Sequence, residues 1–465
     1  MIQSTIIDLV LEKLKEVVGE KYVLTDIESL EHYAHDETED FRFYPDVAVK
    51  PGTPEEVSEI VKLCNEFKIP LTPRGAGTGL SGGALPIHKG VVLSMERFNK
   101  IIEIDERNFQ ATVETGVITQ VFQEAVAKKG LFYPPDPSSR GSCFLGGNFA
   151  ESSGGPKAVK YGVTKDYVLN LQVVLPTGEI IWTGANVLKN ATGYNLTQLM
   201  IGSEGTLGII TKAVLKLIPH PTNDVVMLIP FRSAKQACEA VNAILMAGIT
   251  PSALEFMERD ALIWSAQYLG LELSVADDIE AHLLVEVDGN DIELLRRDAE
   301  KIYEVVSKYA IEEPLFGDTS QQKENLWKLR RNVAHAVKAN SVYKEEDTVV
   351  PRAHLPELIV GIKEIGKKYN FNTVCFGHAG DGNLHIFVLK KDQSEEDWKV
   401  KVPEGIRELF QLTVKLGGTI SGEHGIGYVQ KPYINIALGE KQLQLMRDIK
   451  KVFDPNGILN TGKIF

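Results

Sequence analysis

The sequence predicts an α+β fold made of two parts with different textures. A βαβ pattern lies between residues 46 and 73, and short strands separated by small-residue loops follow it to about residue 218. From residue 225 to about residue 416, long helical patterns alternate with strands of antiparallel type, which is typical of an α+β domain. We therefore predict three segments: residues 1–220, residues 221–417, and a C-terminal segment, residues 418–465, that packs on the first and completes its site.

The opening βαβ unit has clear start and stop signals. Residues 46–50 and 69–73 have the pattern of strands. Between them, Thr53-Pro54-Glu55-Glu56 is a capping box with proline at the first helical position. The apolar stripe that this helix is predicted to bury consists of Val57, Ile60, Val61 and Cys64.

The remaining elements follow from periodicity and turn residues. In the first segment we expect a short helix at 121–129, a hairpin around Thr177-Gly178, and little regular structure over 131–162. Further strands are expected at 91–94, 101–105, 110–114 and 209–218. The second segment is predicted to alternate strands at 225–231 and 282–288 with helices at 234–247, 294–308, 323–338 and 357–369, and the tail adds a helix at 441–452.

Composition places the chain among ordinary soluble proteins. Its 465 residues are 43% hydrophobic and 24% charged, and the net charge of -13 argues against nucleic acid and anionic membranes as partners. No apolar run approaches the length of a membrane span. Residues 1–20 predict an amphipathic helix rather than a signal peptide, because charged residues interrupt the apolar repeat. The four scattered cysteines lack iron–sulfur or zinc-ribbon spacing and suit a reducing cytoplasm.

Three loops rich in small residues are candidates for holding a long ligand. Gly75, Gly77 and Gly79 follow a strand, but the run after them is extended and opens no helix, so a Rossmann site is not expected. The loop could instead be a nest of backbone N–H groups around a pyrophosphate, with Arg74 adding charge, or a plain structural turn. Similar loops lie at 141–155 and 202–208. Together they indicate a cofactor that backbone atoms approach at many points.

The most informative motifs are Cys375–His385 and Ser421–Gly427, which are rich in glycine and histidine. If Asp381-Gly382 forms a two-residue hairpin turn, His378 and His385 become directly opposed cross-strand partners, with Cβ atoms roughly 5 Å apart. Two imidazoles with the Glu423 carboxylate suit zinc, manganese or ferrous iron. His424 would then point elsewhere and be free as a base. Ordinary hydrogen-bonded hairpin histidines are the alternative.

These motifs together resemble the flavoprotein family that includes D-lactate dehydrogenases, the glycolate oxidase flavin subunit and D-2-hydroxyglutarate dehydrogenase. The resemblance covers nearly the whole chain and is carried by the motifs at 73–79, 134–138, 146–148, 161–162, 202–208, 378–385 and 421–425 and by Asn460. It implies a vanillyl-alcohol-oxidase type (PCMH-type) FAD-binding fold for residues 1–220. Residues 221–417 would form a substrate-binding cap of the FAD-linked oxidase C-terminal type.

The resemblance implies a role for each motif residue. Arg74 to Thr78 would wrap the FAD pyrophosphate, Glu204, Gly208 and Ile209 would hold the adenosine side, and Asn460 would return to the flavin edge. The implied FAD-binding residues are Arg74, Gly75, Ala76, Gly77, Thr78, Gly79, Ser81, Pro135, Asp136, Ser138, Gly147, Asn148, Ser152, Gly154, Tyr161, Gly162, Glu204, Gly208, Ile209 and Asn460. The first loop has no histidine to link the flavin, so FAD is expected to be noncovalent.

The resemblance also assigns the chemistry. His378, His385 and Glu423 would bind the divalent metal, His424 would be the catalytic base, and Asn383 would contact the substrate. Arg330 matches the arginine that clamps the substrate carboxylate, with Arg331 as its rival, and Lys344 matches a further carboxylate-contacting lysine.

The interpretation is oxidation of a D-2-hydroxy acid to the 2-oxo acid, with hydride transfer to flavin. Ala334 stands where members that oxidise larger acids carry a small polar residue, which favours D-lactate or glycolate. D-2-hydroxyglutarate stays open, because Arg352 could supply a further charge. Two rival functions are a metal-dependent hydrolase and a catalytically silent flavin electron-transfer subunit.

We expect the electrons to pass from the reduced flavin to an acceptor protein, which is either electron-transfer flavoprotein or an iron–sulfur subunit. The sequence leaves the oligomeric state open, with a homodimer as one option.

Overall fold

The computed structural model describes residues 2–38, 41–309 and 313–465. In these ranges the helices, in chain order, are α1 (Ile2–Val18), α2 (Ile27–Glu31), α3 (Pro54–Phe67), α4 (Thr119–Ala127), α5 (Leu145–Glu151), α6 (Ala158–Tyr161), α7 (Leu196–Met200), α8 (Ala234–Met246), α9 (Arg259–Leu269), α10 (Ile292–Val306), α11 (Ser320–Arg331), α12 (Val333–Asn340), α13 (Leu355–Tyr369), α14 (Glu395–Lys415), α15 (Ile434–Ala437) and α16 (Glu440–Phe453). Among the described residues, no helix is both long and apolar enough to span a bilayer.

The strands of the described ranges form four sheets. In chain order they are β1 (Val23–Leu24), β2 (Val47–Val49), β3 (Leu71–Arg74), β4 (Val91–Ser94), β5 (Ile101–Asp105), β6 (Gln110–Glu114), β7 (Leu131–Phe132), β8 (Val168–Val174), β9 (Ile180–Trp182), β10 (Ile209–Lys216), β11 (Ile218–Pro219), β12 (Asn223–Phe231), β13 (Ala253–Glu258), β14 (Ala281–Gly289), β15 (Leu315–Gly317), β16 (Tyr343–Val349), β17 (Asn372–Gly377) and β18 (Asn383–Leu389). The sheet orders are β1-β2-β4-β3, β5-β6-β10-β8-β9, β11-β7 and β15-β12-β14-β13-β17-β18-β16.

The first two larger sheets carry the small-residue loops. In the four-stranded sheet, β2 and β3 pair in parallel with β4, as the βαβ pattern predicts, and the Thr53 hydroxyl caps α3 by accepting the Glu56 amide at 3.1 Å. The five-stranded sheet is antiparallel and contains the predicted hairpin of β8 and β9. The loop after β3 continues through turns to β4, so the expectation against a Rossmann site holds.

The seven-stranded antiparallel sheet positions the histidine motif. One face is buried by apolar residues of α8, α10, α13 and α14. On the other face, α9, α11 and α12 cover part of the sheet, and the rest of that face carries polar side chains. Because alternate residues of a strand share a face, Asp347 and its cross-strand partner His385 lie on this polar face.

The C-terminal segment returns to the first sheet. Leu459 forms a parallel bridge with Leu71, and the Asn460 amide donates to the Leu71 carbonyl at 2.8 Å. The predicted division into residues 1–220, 221–417 and 418–465 stays a prediction.

Two expectations about secondary structure are wrong. The predicted helix 323–338 is two helices, α11 and α12, which meet at Asn332, whose φ of -98° and ψ of 5° interrupt the α-helical backbone. The stretch 131–162 is more regular than expected and contains α5 and α6. Glycines in α5 hide its periodicity, because they contribute no apolar side chain.

Candidate active site

A long cleft runs between the small-residue loops and the polar face of the seven-stranded sheet. Its wall includes the following predicted residues: Arg74, Gly75, Ala76, Gly77, Thr78, Gly79, Ser138, Gly147, Asn148, Glu204, Gly208, Ile209, His385, Glu423, His424 and Asn460. Three loops that are distant in sequence therefore meet the two histidine motifs in one cavity.

Several predicted residues lie outside the wall of this cleft: Ser81, Pro135, Asp136, Ser152, Gly154, Tyr161, Gly162, Arg330, Lys344, His378 and Asn383. Tyr161 donates its hydroxyl to Asp288 at 2.9 Å. Asp136 forms ion pairs with Arg140 at 3.0 Å and with Arg331 at 3.1 Å, so the rival arginine is engaged there.

The glycine-lined end of the cleft has the features that a flavin dinucleotide requires. A Cβ built on Gly79 or Gly147 would meet no protein atom within 4 Å, so these backbones face open space. Arg74 is 3% exposed, and its Nη2 donates a hydrogen bond to the His32 carbonyl. Its Nε and Nη1 have no hydrogen-bond partner among the described residues. Donors of this kind beside bare backbone suit a pyrophosphate.

The conformation of the loop also needs glycine. Gly77 has φ +76°, and a Cβ there would lie 2.2 Å from Nη2 of Arg74. Glycine at this position therefore leaves room for the buried guanidinium as well as for a ligand.

At the other end of the cleft, two imidazoles converge on one carboxylate. The Nε2 atoms of His378 and His385 lie 3.2 Å and 3.4 Å from Oε1 of Glu423. Ligand atoms of the three residues all lie within 4.8 Å of one another, and two of the residues are buried. A second trio, Glu345, His385 and His424, is equally compact. Imidazole and carboxylate donors in this arrangement fit zinc, manganese or ferrous iron.

The predicted hairpin geometry behind this cluster is wrong. His385 pairs across the strands with Phe376, not with His378, because residues 379–381 form a 3₁₀ turn that takes up the chain between β17 and β18. The two rings nevertheless meet edge to face with centroids 5.3 Å apart. The conclusion that they are close is therefore right, although the predicted register is not.

The surroundings of His378 and His385 shift their pKa values in opposite directions. Glu255 accepts from Nδ1 of His378 at 2.9 Å, which leaves Nε2 directed at Glu423. Burial alone would lower the pKa of His378, but Glu255 and Glu423 raise it to about 10. Burial and the neighbouring His424 lower the pKa of His385 to about 3.

His424 stacks on His385 with ring centroids 5.1 Å apart and an angle of 12° between the rings. Its Nε2 lies 4.0 Å from Oε1 of Glu345. Burial opposes protonation, yet Asp347 and Glu345 raise the pKa of His424 above its ordinary value. A side chain in the cleft wall that readily accepts a proton suits a general base.

Arg330 stands directly behind the wall. It is 2% exposed, its guanidinium lies 4.8 Å from the ring centroid of Phe376, and Phe376 lines the cleft. Nη2 of Arg330 lies 2.7 Å from Oε2 of Glu255, without hydrogen-bond alignment. The buried Glu255 carboxylate therefore balances both Arg330 and His378.

The structure adds three acidic residues to the site that no sequence motif predicts: Glu255, Glu345 and Asp347. They lie on β13 and β16, far from the histidine motifs in sequence. Asn383 donates to Oδ1 of Asp347 at 2.6 Å and is turned from the cleft. A carboxylate between Leu254 and Phe256 inside a strand is the signal that could have found Glu255.

Models of two protein families match most of the chain. Residues 220–464 match the family described as "FAD linked oxidases, C-terminal domain", and residues 45–184 match the family described as "FAD binding domain". A D-lactate dehydrogenase of Anaerostipes hadrus is 41% identical over 460 residues, which are 98% of this chain and 96% of that protein. The glycolate oxidase subunit GlcD of Bacillus subtilis is 40% identical over 93% of this chain and 92% of that protein.

Solved structures show the fold. The structure of p-cresol methylhydroxylase with substrate bound superimposes with a TM-score of 0.81 at 20% identity, covering 99% of this chain and 97% of that chain. The predicted fold class, an FAD-binding fold of the vanillyl-alcohol-oxidase type with an α+β second part, is thereby confirmed.

Proposed function

Because the chain belongs to the family of FAD-linked oxidases, we propose that it oxidises a small D-2-hydroxy acid, D-lactate or glycolate first, to the 2-oxo acid. The observation that carries the proposal is the position of His424. It lies in the wall of the glycine-lined cleft, stacked on His385 and next to the imidazole–carboxylate cluster. A base beside an imidazole–carboxylate cluster, in one cavity with a glycine-lined cleft, suits the oxidation of a hydroxy acid.

FAD would be held noncovalently by the glycine-lined end of the cleft. Backbone at Gly75 to Gly79 and at Gly147, with the Arg74 guanidinium, would face the pyrophosphate and the flavin. When bound, FAD supplies the redox chemistry by accepting the α-hydrogen of the substrate as hydride.

The divalent metal would be held by His378, His385 and Glu423. Zinc, manganese and ferrous iron all fit this donor set, and the bound ion supplies Lewis acidity at the substrate hydroxyl. The hydrogen bond from Nδ1 of His378 to Glu255 fixes the ring so that Nε2 faces the site.

The chain's own residues would orient the acid and move its proton. His424 accepts the hydroxyl proton, and its raised pKa makes the imidazole a competent acceptor. Arg330, behind Phe376, orients the substrate carboxylate through its charge. Ala334 in the same wall offers no hydrogen bond, which favours a short acid.

The electrons would pass to a partner protein, an electron-transfer flavoprotein or an iron–sulfur subunit. Cys64, Cys143, Cys238 and Cys375, the four cysteines of the chain, are buried free thiols and supply no exposed cluster ligands. Free thiols also support a reducing, cytoplasmic location. The alternative of a metal-dependent hydrolase leaves the glycine-lined cleft without a role.

The test is an anaerobic visible spectrum of the metal-replete protein before and after each acid is added. We expect bleaching by D-lactate or glycolate, none by L-lactate, and loss of bleaching after a chelator with recovery on adding zinc, manganese or ferrous iron. His424→Asn should slow bleaching by about 100-fold or more, whereas His354→Asn, at a half-exposed site outside the cleft, should not. A yellow protein that no hydroxy acid bleaches would refute the proposal.

A further inference from the structure

Glu345 lies in the cleft wall, where the resemblance implied that Lys344 would contact the substrate. Along β16 successive side chains alternate between faces, and Glu345 is the one that enters the cleft wall. Its neighbour Lys344 points the other way and places Nζ 5.6 Å from the ring centroid of Trp398. Glu346 also faces away and accepts from Gln430 at 2.8 Å. The cleft therefore receives a carboxylate from this strand instead of an ammonium group.

The carboxylate lies at the reacting end of the cleft. Oε1 of Glu345 is 4.0 Å from Nε2 of His424, and ligand atoms of Glu345, His385 and His424 lie within 4.8 Å of one another. Its side chain is 11% exposed, so water screens its charge only partly. An acid bound with its hydroxyl at His424 would place the substituent on its α-carbon close to Glu345.

The neighbouring wall has few groups that could bind a second carboxylate of the substrate. Ala334 has no polar side-chain atom, and Phe376 presents its ring. The nearby Arg330, which pairs with Glu255 at 2.7 Å, is already assigned to the first carboxylate of the acid. Two further carboxylates, Asp347 and Glu423, lie in the same cluster. Beside Ala334 and Phe376, the described part of the cleft wall therefore presents the Glu345 carboxylate, whereas Arg74, the arginine of that wall, lies at its glycine-lined end.

From this arrangement we propose that Glu345 is a specificity-determining residue, which excludes hydroxy acids that carry a second carboxylate and admits short monocarboxylates. This inference rests on the proposed function, because it concerns the substrate of the same site. Like charges brought close together in a partly buried site repel strongly enough for discrimination on the order of 100-fold. Glu345 would discriminate by repelling the dicarboxylate, without an additional contact to the monocarboxylate.

The experiment compares D-lactate with D-2-hydroxyglutarate in Glu345→Gln, Glu345→Ala and the wild type. Anaerobic stopped-flow gives the rate of flavin reduction. Titration of the oxidised enzyme with pyruvate and with 2-oxoglutarate, followed by flavin absorbance, gives affinities without turnover. Glu346→Gln is the matched control, because it makes the same chemical change one residue along β16, outside the cleft wall.

We expect the wild type to prefer D-lactate by about 100-fold and both Glu345 variants to narrow that ratio by about 10-fold or more. The gain should come from the dicarboxylates, in rate and in 2-oxoglutarate affinity, and Glu346→Gln should keep the wild-type ratio. A variant that changes both substrates by the same factor would assign Glu345 to positioning His424 and overturn the inference. Equal use of both acids by the wild type would also overturn it, while leaving hydroxy-acid oxidation intact. Absence of bleaching with every acid would instead be failure of the proposed function.

Discussion

Asp347 holds the backbone of His424, with Oδ2 of the aspartate accepting the His424 amide at 3.0 Å. The same oxygen accepts from the Ser421 hydroxyl at 3.0 Å and from the amides of Gly422 and Glu423 at 2.7 Å and 2.8 Å. Burial would raise the pKa of Asp347, but His424, His385 and these amides hold it below its usual range. One buried carboxylate therefore positions both the proposed base and a proposed metal ligand.

Asp347→Asn should weaken the site without emptying the flavin cleft. The amide has the same shape, but it loses the charge and turns an N–H₂ group toward one set of its donors. Groups that position metal ligands typically contribute 10–100-fold to metal affinity or activity, so we expect losses of about that size. Competition with a chelator measures the metal affinity, and stopped-flow measures flavin reduction.

The control for this change is Asp397→Asn, at the N-terminal end of α14, where the carboxylate pairs with Lys401 at 2.7 Å. Both variants should retain FAD. Wild-type metal affinity in Asp347→Asn would mean that the segment 421–424 holds its shape without the carboxylate.

Glu255→Gln should destabilise the apoprotein strongly. The change leaves Arg330, which is 2% exposed, without its counter-charge, and breaking a buried ion pair on one side costs about 3–5 kcal/mol. Adding Arg330→Met should recover most of the loss, because it removes the guanidinium that lost its counter-charge, while His378 keeps the Glu423 carboxylate at 3.2 Å. Thermal denaturation of the metal-free apoprotein measures both steps.

The exposed pair Glu293 and Arg296 on α10, 2.7 Å apart, provides a matched surface control. Its single and double variants should each change stability by less than about 1 kcal/mol. If the stability changes of Glu255→Gln and Arg330→Met simply added in the double variant, the two residues would not form an energetically coupled buried pair.

Local patterns in the sequence were enough to predict much of this site. The capped helix α3, the parallel strands around it and the loops at 75–79 and 202–208 each follow from neighbours a few residues apart. The chemistry of Glu423 and of His378 and His385 predicts that they share a site, and the structure brings them together. The loops share a cleft because small residues let several backbones approach one ligand.

The errors at β16 and at the histidine motif have a common physical cause, which is register. A shift of one residue moves a strand's side chains to the opposite face, and this shift separates the predicted Lys344 from the observed Glu345 in the cleft. The 3₁₀ turn at 379–381 moves His385 opposite Phe376 in the same way. Glu255 reaches His378 only because β13 lies beside β17 in the sheet, and local sequence carries no signal of that order.

Gly147→Ala should separate folding from cofactor binding. A Cβ at this position in α5 meets no protein atom within 4 Å, and alanine stabilises a helix by about 0.5–1 kcal/mol relative to glycine. The apoprotein should therefore be as stable as the wild type or slightly more so. The methyl group would project into the space assigned to FAD, so we expect FAD affinity to fall by about 10-fold or more.

Thermal denaturation of the apoprotein and fluorescence titration with FAD measure the two effects. Gly289→Ala, where the added Cβ meets only Leu295 at 3.5 Å, should leave FAD affinity unchanged. Unaltered FAD binding by Gly147→Ala would move the cofactor away from this loop.

Glu346→Gln should make the protein more stable at alkaline pH. Glu346 is 5% exposed, and burial raises the pKa of its carboxyl to about 7, although a hydrogen bond from Gln430 opposes the shift. The folded protein therefore binds this proton more tightly than the unfolded chain, so its contribution to stability is complete below about pH 4.5 and is lost as the pH rises through 7. Glutamine stays neutral and can still accept a hydrogen bond from Gln430.

Relative to the wild type, the free energy of unfolding of the variant should rise by about 2–3 kcal/mol between pH 5 and pH 8.5. Thermal denaturation would show this as a difference in Tm that grows with pH. The control is Glu404→Gln, at an exposed position on α14, which should show the same Tm difference at both pH values. A gain at Glu346 that does not change with pH would mean that the carboxyl is already ionised at pH 5.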